Sequence, residues 1–209
     1  MKITKYVHSC LLVEDKGKRV LIDPGIYSTE HNALDVAYLE KIDVLLLTHE
    51  HQDHMDVSFV KLLAAKFPDI EIISNSSVVT LLGREGIKAS SQGNDFISME
   101  DTPHEKILGN QAVPRNTLFT LWGRFTHPGD SLSFERTSEI LALPVQAPWG
   151  SFVQAMEKAV SLKPKLVVPI HDWHWRDEAR ISLYERSRVF LKEHGISFAA
   201  LDTGQPFEA

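Results

Sequence analysis

The chain has 209 residues, 43% hydrophobic and 24% charged, with a formal net charge of -6; that is enough to bury one substantial core, and a single domain over residues 1–209 is expected. The acidic balance leaves no surplus of positive charge to neutralise a phosphate backbone, which sets nucleic acid aside as a partner. The opening MKITKYVHSCLLVEDKGKRVLID is broken by charge every few residues, so neither a signal peptide nor a membrane span is expected, and the expected compartment is the cytoplasm.

In chain order, KITKYV, CLLVE and RVLID read as strands, with DKGK as a turn between the last two and DPG as the end of the third. Cys10, the single cysteine, lies in the second of these strands and reads as a small buried thiol. ALDVAYLEK has helical spacing, IDVLLLT is β-like, and VSFVKLLAAKF is again helical until Pro68 ends it. Then come a short strand EIIS, a helix SSVVTLLGREG stopping near Gly86, and surface turns around SSQGND. HEKIL, NTLFTLW, GRFTH and EILALPV return to strands, with Gly123 marking a hairpin. The last third reads as helix SFVQAMEKAVSL, strand KLVVPI, and a long helix over DEARISLYERSRVFLKEHG closed by Gly195. Periodicity alone thus gives a mixed α and β chain.

The densest chemistry is in LLLTHEHQDHMD, residues 45–56. Residues two apart on an extended segment point the same way, about 7 Å apart at Cα, so His49 and His51 converge on one ion as the strand ends. Asp53 and His54 fall where the chain turns into the next helix and reach a second point; paired catalytic metals sit roughly 3.5–4 Å apart. A zincin helix is excluded, since that pattern needs histidine where Asp53 stands. Four ligands on two ions leave each under-coordinated, so others must come from elsewhere.

His171 emerges directly after KLVVPI, and Asp130 follows a strand and a Pro-Gly turn in FTHPGDS, where a carboxylate can bridge two cations. His104 and His127 compete to be the third ligand of the first ion; His104 is favoured because it comes from a separate strand end. His127 then becomes a substrate-side group. His174 reads as a group on the rim of the site and Asp172 as an orienting carboxylate. His8 either faces the core or lines the floor of the site, and His31 and His194 read as exposed. Asp23, in VLIDPG, is either a turn former or a hydrogen-bonding neighbour of the ligands. Asp56 caps the helix after it. Trp149, Trp173 and Trp175 form an aromatic rim suited to an organic substrate, and Trp122 is assigned to the core.

Taken in order, LIDPG, THEHQDH, TPH, THPGDS and VVPIH resemble the metallo-β-lactamase fold superfamily, and the HSCLLVE start with GDS and LALPV is similar to its compact branch of ascorbate-6-phosphate lactonase-like hydrolases. The resemblance implies a four-layer αββα sandwich with the site at one edge of paired sheets. It implies His49, His51 and His104 on one metal, Asp53, His54 and His171 on the other, Asp130 between them, and Asp23 as a structural aspartate nearby.

The expected function is metal-dependent hydrolysis of a small ester-like bond, a lactone or phosphodiester of an anionic metabolite, by hydroxide held between two divalent ions. Zinc is the first choice, with manganese, iron or nickel accepted by the same ligand chemistry. Asp53 orients the hydroxide, and a metal-bound water, His127 or His174 protonates the leaving group. Lys106, Arg115 and Arg124 lie between motifs and could meet an anion, though surface charge accounts for at least two of them. A non-hydrolytic iron redox or sensor protein on the same fold is the rival. A small molecule is the expected partner, neither nucleic acid nor membrane is, and a homo-oligomer is left open.

Overall fold

The computed structural model describes residues 1–30, 33–109 and 112–209. His31, expected to be exposed, falls outside them. The described residues divide into two units, Met1–Gly93 with Leu201–Ala209, and Asn94–Ala200.

In the first unit, β1 (Lys2–Lys5), β2 (Leu11–Asp15) and β3 (Lys18–Ile22) form an antiparallel meander. Lys16 and Gly17 make the two-residue turn between the last two, both with positive φ, the geometry that suits a tight hairpin. After a short α1 (Ile26–Thr29), β4 (Val44–Leu47) and β5 (Glu71–Ser74) add in parallel beside β3. Between them run α2 (Val57–Lys66) and, after β5, α3 (Ser76–Arg84). Asp56 caps α2 as expected, accepting from the N–H groups of Ser58 and Phe59, and Asn75 does the same for α3. Phe59, Val60 and Leu63 of α2 and Val78 and Leu82 of α3 join Leu12, Leu21, Leu45, Leu47 and Ile72 in one apolar cluster. Every residue of β4 is buried, as continuous aliphatic sequence in a parallel strand requires.

The expected helix over residues 33–41 reduces to one 3-10 turn, Val36–Tyr38. Two of the carbonyls a longer helix would use, those of Val36 and Ala37, are taken by the Lys66 ammonium at 2.7 and 2.9 Å. Leu34 and Leu39 bury against the cluster on either side of the turn.

The second unit begins with β6 (Ile97–Pro103), then β7 (Arg115–Leu121) and β8 (Phe125–His127), antiparallel in sequence order. β9 (Ile140–Pro144), α4 (Phe152–Leu162), β10 (Leu166–Ile170), α5 (Asp177–Glu193) and β11 (Ser197–Phe198) follow, with β8, β9, β10 and β11 pairing in parallel. Ala155, Met156 and Ala159 of α4 and Tyr184 and Leu191 of α5 pack with Leu141, Leu143 and Val167. A strand was expected at HEKIL; the strand is instead the preceding ISMEDTP, which stops immediately before His104. Trp122, expected in the core, sits with Gly123 in the β7–β8 turn. Both have positive φ, and the Trp122 ring is half-buried and stacked on Phe96. The chain then returns to the first unit, where β12 (Pro206–Glu208) pairs with β1.

The sheets are β12-β1-β2-β3-β4-β5 and β11-β10-β9-β8-β7-β6. No helix among the described residues is long and apolar enough to cross a membrane. Leu45, fully buried at the centre of the first cluster, sets a stability test: Leu45→Ala should lower the unfolding free energy by about 2–5 kcal/mol in a denaturant titration.

Candidate functional site

Chemistry gathers at strand ends in both units. In the first, β3 and β4 lie side by side with Ile22 opposite Leu46, so both strands release their loops at the same end. Asp23 turns the chain there in the left-handed region, at φ 47, with its carboxylate fully buried. A buried carboxylate is tolerable only if its lone pairs are used. Oδ1 accepts from the Thr48 N–H at 2.8 Å; Oδ2 accepts from the Thr48 hydroxyl at 2.6 Å and from His54 Nδ1 at 2.7 Å.

These bonds fix tautomers. His54 donates its Nδ1 hydrogen to Asp23 and keeps the lone pair of the neutral ring on Nε2. The Thr48 hydroxyl has given its hydrogen to Asp23, so it accepts from His49 Nδ1 at 3.0 Å, and His49 likewise presents Nε2 as a lone-pair nitrogen. That atom is 3.2 Å from His51 Nδ1, so the structure brings the two side chains together. Asp53 Oδ2 is 3.9 Å from His54 Nε2.

The turn carrying these groups is held from below. His54 and Met55 donate their N–H groups to the His51 carbonyl, Ile26 donates to Gln52 and Asp56 to Pro24. Gly25 lies so close beneath that a Cβ there would be 2.0 Å from the Asp53 carbonyl carbon. The glycine of DPG is thus demanded by the close approach of two backbones.

In the second unit three strand ends meet. His104 follows β6, Asp130 follows the Gly129 turn after β8, and His171 follows β10 in the left-handed region at φ 62. His104 Nδ1 donates to the Glu105 carbonyl and His171 Nδ1 to the Gln146 carbonyl, each at 2.6 Å. A carbonyl only accepts, so Nδ1 carries the hydrogen in both rings. Their Nε2 atoms then face one carboxylate oxygen, Asp130 Oδ2, at 3.5 and 3.2 Å. In the neutral rings both Nε2 atoms carry lone pairs, and two imidazoles with a carboxylate are the donor set of a borderline divalent ion. Trp149 Nε1 donates to the same oxygen at 3.2 Å. Asn116 accepts from the Asp130 N–H and donates to Pro128 and Thr102, tying the turn to β6.

A family model described as a beta-lactamase superfamily domain matches residues 2–171. The chain belongs to that superfamily. Among curated members it is 31% identical over 198 residues to Protein Rv0786c of Mycobacterium tuberculosis, covering 89% of this chain and 91% of that one. It is 31% identical to a UPF0173 metal-dependent hydrolase of Geobacillus thermodenitrificans, covering 82% and 85%. Among solved structures, the metallo-beta-lactamase fold protein YhfI from Bacillus subtilis matches with a TM-score of 0.71 at 16% identity, over 100% of this chain and 99% of that one. The expected fold family is therefore the observed one.

His174 is exposed, its ring nearly parallel to that of His171 at 6.5 Å. His127 is fully buried at the end of β8, and its Nδ1 accepts from the Gly129 N–H. Asp172 accepts from the Tyr184 hydroxyl, and the Gln146 carbonyl accepts from His171 Nδ1. Burial, followed by the Asp172 charge, pushes the Tyr184 phenol well up. Trp149 stands beside His104 and His171, whereas Trp175 packs on Phe152 and Tyr184 at the edge of the core. Arg124 pairs with Glu139, Arg115 lies 4.0 Å from Asp101 on the surface, and Lys106 is exposed. Thr48, Asn116 and Gln146 were not marked by the sequence, because a hydroxyl, an amide and a main-chain carbonyl carry no ligand signature.

Two outcomes follow from this geometry. Gly25→Ala should destabilise by about 1–3 kcal/mol or more in denaturant unfolding, because the added methyl displaces the turn over Asp53. Burial pushes the Cys10 thiol well above its usual range, so alkylation at pH 8 should leave it unmodified in the native protein and label it on unfolding.

Proposed function

We propose that the chain is a metal-dependent hydrolase acting on a small ester-like bond, a lactone or phosphodiester of an anionic metabolite, through a pair of divalent ions, zinc by preference. In this reading His49, His51 and His104 hold one ion, Asp53, His54 and His171 the other, and Asp130 lies between them. The observation that carries it is the pair of Nδ1 hydrogens committed to the Glu105 and Gln146 carbonyls, which aims the Nε2 lone pairs of His104 and His171 at Asp130. The same device in the first unit commits Nδ1 of His54 to Asp23 and of His49 to Thr48. Supporting it further, the Geobacillus thermodenitrificans relative is named a metal-dependent hydrolase.

Bound divalent ions supply Lewis acidity and lower the pKa of a coordinated water from 15.7 to about 7, so no serine or cysteine nucleophile is needed. Cys10, fully buried with its thiol held neutral, is unsuited to that role. The side chain of Asp53, 24% exposed, orients the attacking water. His174, exposed beside His171, is the better placed of the two histidines to protonate a departing alkoxide. His127, sealed from solvent, serves that step only by passing a proton onward.

The reading is tested by a panel of lactones, phosphodiesters and thioesters assayed with zinc, manganese, iron and nickel, with Asp130→Ala beside the wild type. Hydrolysis of a lactone or phosphodiester by the wild type, lost at least about a hundredfold in Asp130→Ala together with metal, is the expected result. Turnover that persists in metal-stripped Asp130→Ala, or stoichiometric iron with no hydrolysis across the panel, would overturn it.

A further inference from the structure

The Asp53 carboxylate, in the turn after β4, faces partly outward, and a histidine 45 positions earlier in the chain lies against it. His8 sits in the turn between β1 and β2. That turn is closed by Tyr6 N–H to the Cys10 carbonyl and by Cys10 N–H to the Val7 carbonyl, each at 3.0 Å, and is anchored by the Ser28 hydroxyl on the Val7 carbonyl at 3.0 Å. His8 adopts φ 60, a left-handed conformation that a bulky residue keeps only where its surroundings require it. The consequence is that the imidazole points inward, 1% exposed, with its ring edge against Tyr27 at 5.1 Å and against His54 at 5.6 Å. Its Nε2 lies 3.2 Å from Asp53 Oδ2.

We propose that His8 is a positioning residue, donating a hydrogen bond from Nε2 to Asp53 and thereby fixing the carboxylate that orients water in the hydrolytic reaction. A partly exposed aspartate in a tight turn has side-chain freedom to lose when it takes up its working geometry. A buried donor already in place removes that cost before metal or substrate arrives. Donation occupies one lone pair of Oδ2 and leaves the rest of the carboxylate for a cation. His8 as a direct ligand fits less well. The second ion of the proposed function, on which this inference rests, already has Asp53, His54, His171 and the bridging Asp130, and a fifth protein ligand would close the position that a hydrolytic metal keeps open.

The test compares His8→Ala and His8→Gln with the wild type, as full chains loaded with zinc. The readouts are ions bound per chain, zinc affinity by chelator competition, and kcat and KM separately. The inference expects both variants to keep the wild-type number of ions. His8→Ala should lose about 10–100-fold in affinity for the second ion and fall in kcat with KM within about twofold. His8→Gln, which retains an N–H donor, should recover most of both. Loss of an ion outright in His8→Ala, unchanged affinity and kcat, or a folded His8→Gln no better than alanine would each overturn it. Nitrogen-15 NMR of the wild type reads the same bond without a variant: Nε2 of His8 should carry hydrogen in both metal-free and zinc-loaded protein, and a deprotonated Nε2 in the loaded form would make it a ligand. A wild type that binds no metal and hydrolyses nothing would instead defeat the proposed function, while the metal-free spectrum would still decide whether His8 holds Asp53.

Discussion

The buried carboxylate of Asp23 is the constraint from which the first unit's chemistry follows. A charge with no access to water must be compensated by hydrogen bonds, and here Thr48 and His54 supply them, at 2.6–2.8 Å. Because Thr48 spends its hydroxyl hydrogen on Asp23, His49 must spend its Nδ1 hydrogen on Thr48. One carboxylate thus sets two histidine tautomers, one directly and one through a hydroxyl, and both rings present Nε2. The parallel pairing of β3 and β4 makes this possible by bringing Asp23 and Thr48 out at the same end.

The second unit reaches the same end by other means. His104 and His171 commit Nδ1 to main-chain carbonyls, which are neutral and cost less to bury than another carboxylate, so the negative charge is kept for Asp130. Asp23, His8 and His171 share one further property: each stands in the left-handed region. Non-glycine residues there carry about 1–3 kcal/mol of strain each. At these three positions the strain falls on side chains committed to histidine, carboxylate or carbonyl contacts, and the apolar clusters under each sheet provide the stability that sustains it.

Much of this was legible in the sequence because the ligand-type residues stand directly after aliphatic runs. VLLLT before His49 and VVPI before His171 announce buried parallel strands, and a histidine at such an end is costly unless used. Asp56 was readable as a cap because its side chain acts on the N–H groups of the helix that begins one residue later. Other features left little trace. ISMEDTP pairs only with β7 at the edge of its sheet, so it keeps Glu100 and Asp101 exposed and lacks the apolar content of a central strand. Residues 33–41 have helical spacing, yet Lys66, distant in sequence, takes the carbonyls the helix needed. The role of His8 depends on a positive φ and on a turn 45 residues away, which periodicity does not encode.

The central claim is that fixed tautomers in both units prepare the chain to hold two divalent ions for hydrolysis. A calorimetric titration of the metal-free protein with zinc at neutral pH tests it most directly. The account predicts two equivalents bound, hydrogen retained on Nδ1 of His49, His54, His104 and His171 in nitrogen-15 NMR spectra of the metal-free and zinc-loaded protein, and hydrolytic activity that appears with metal. Binding of no ion, or two equivalents bound with Nδ1 rather than Nε2 of these rings losing its hydrogen, would contradict it.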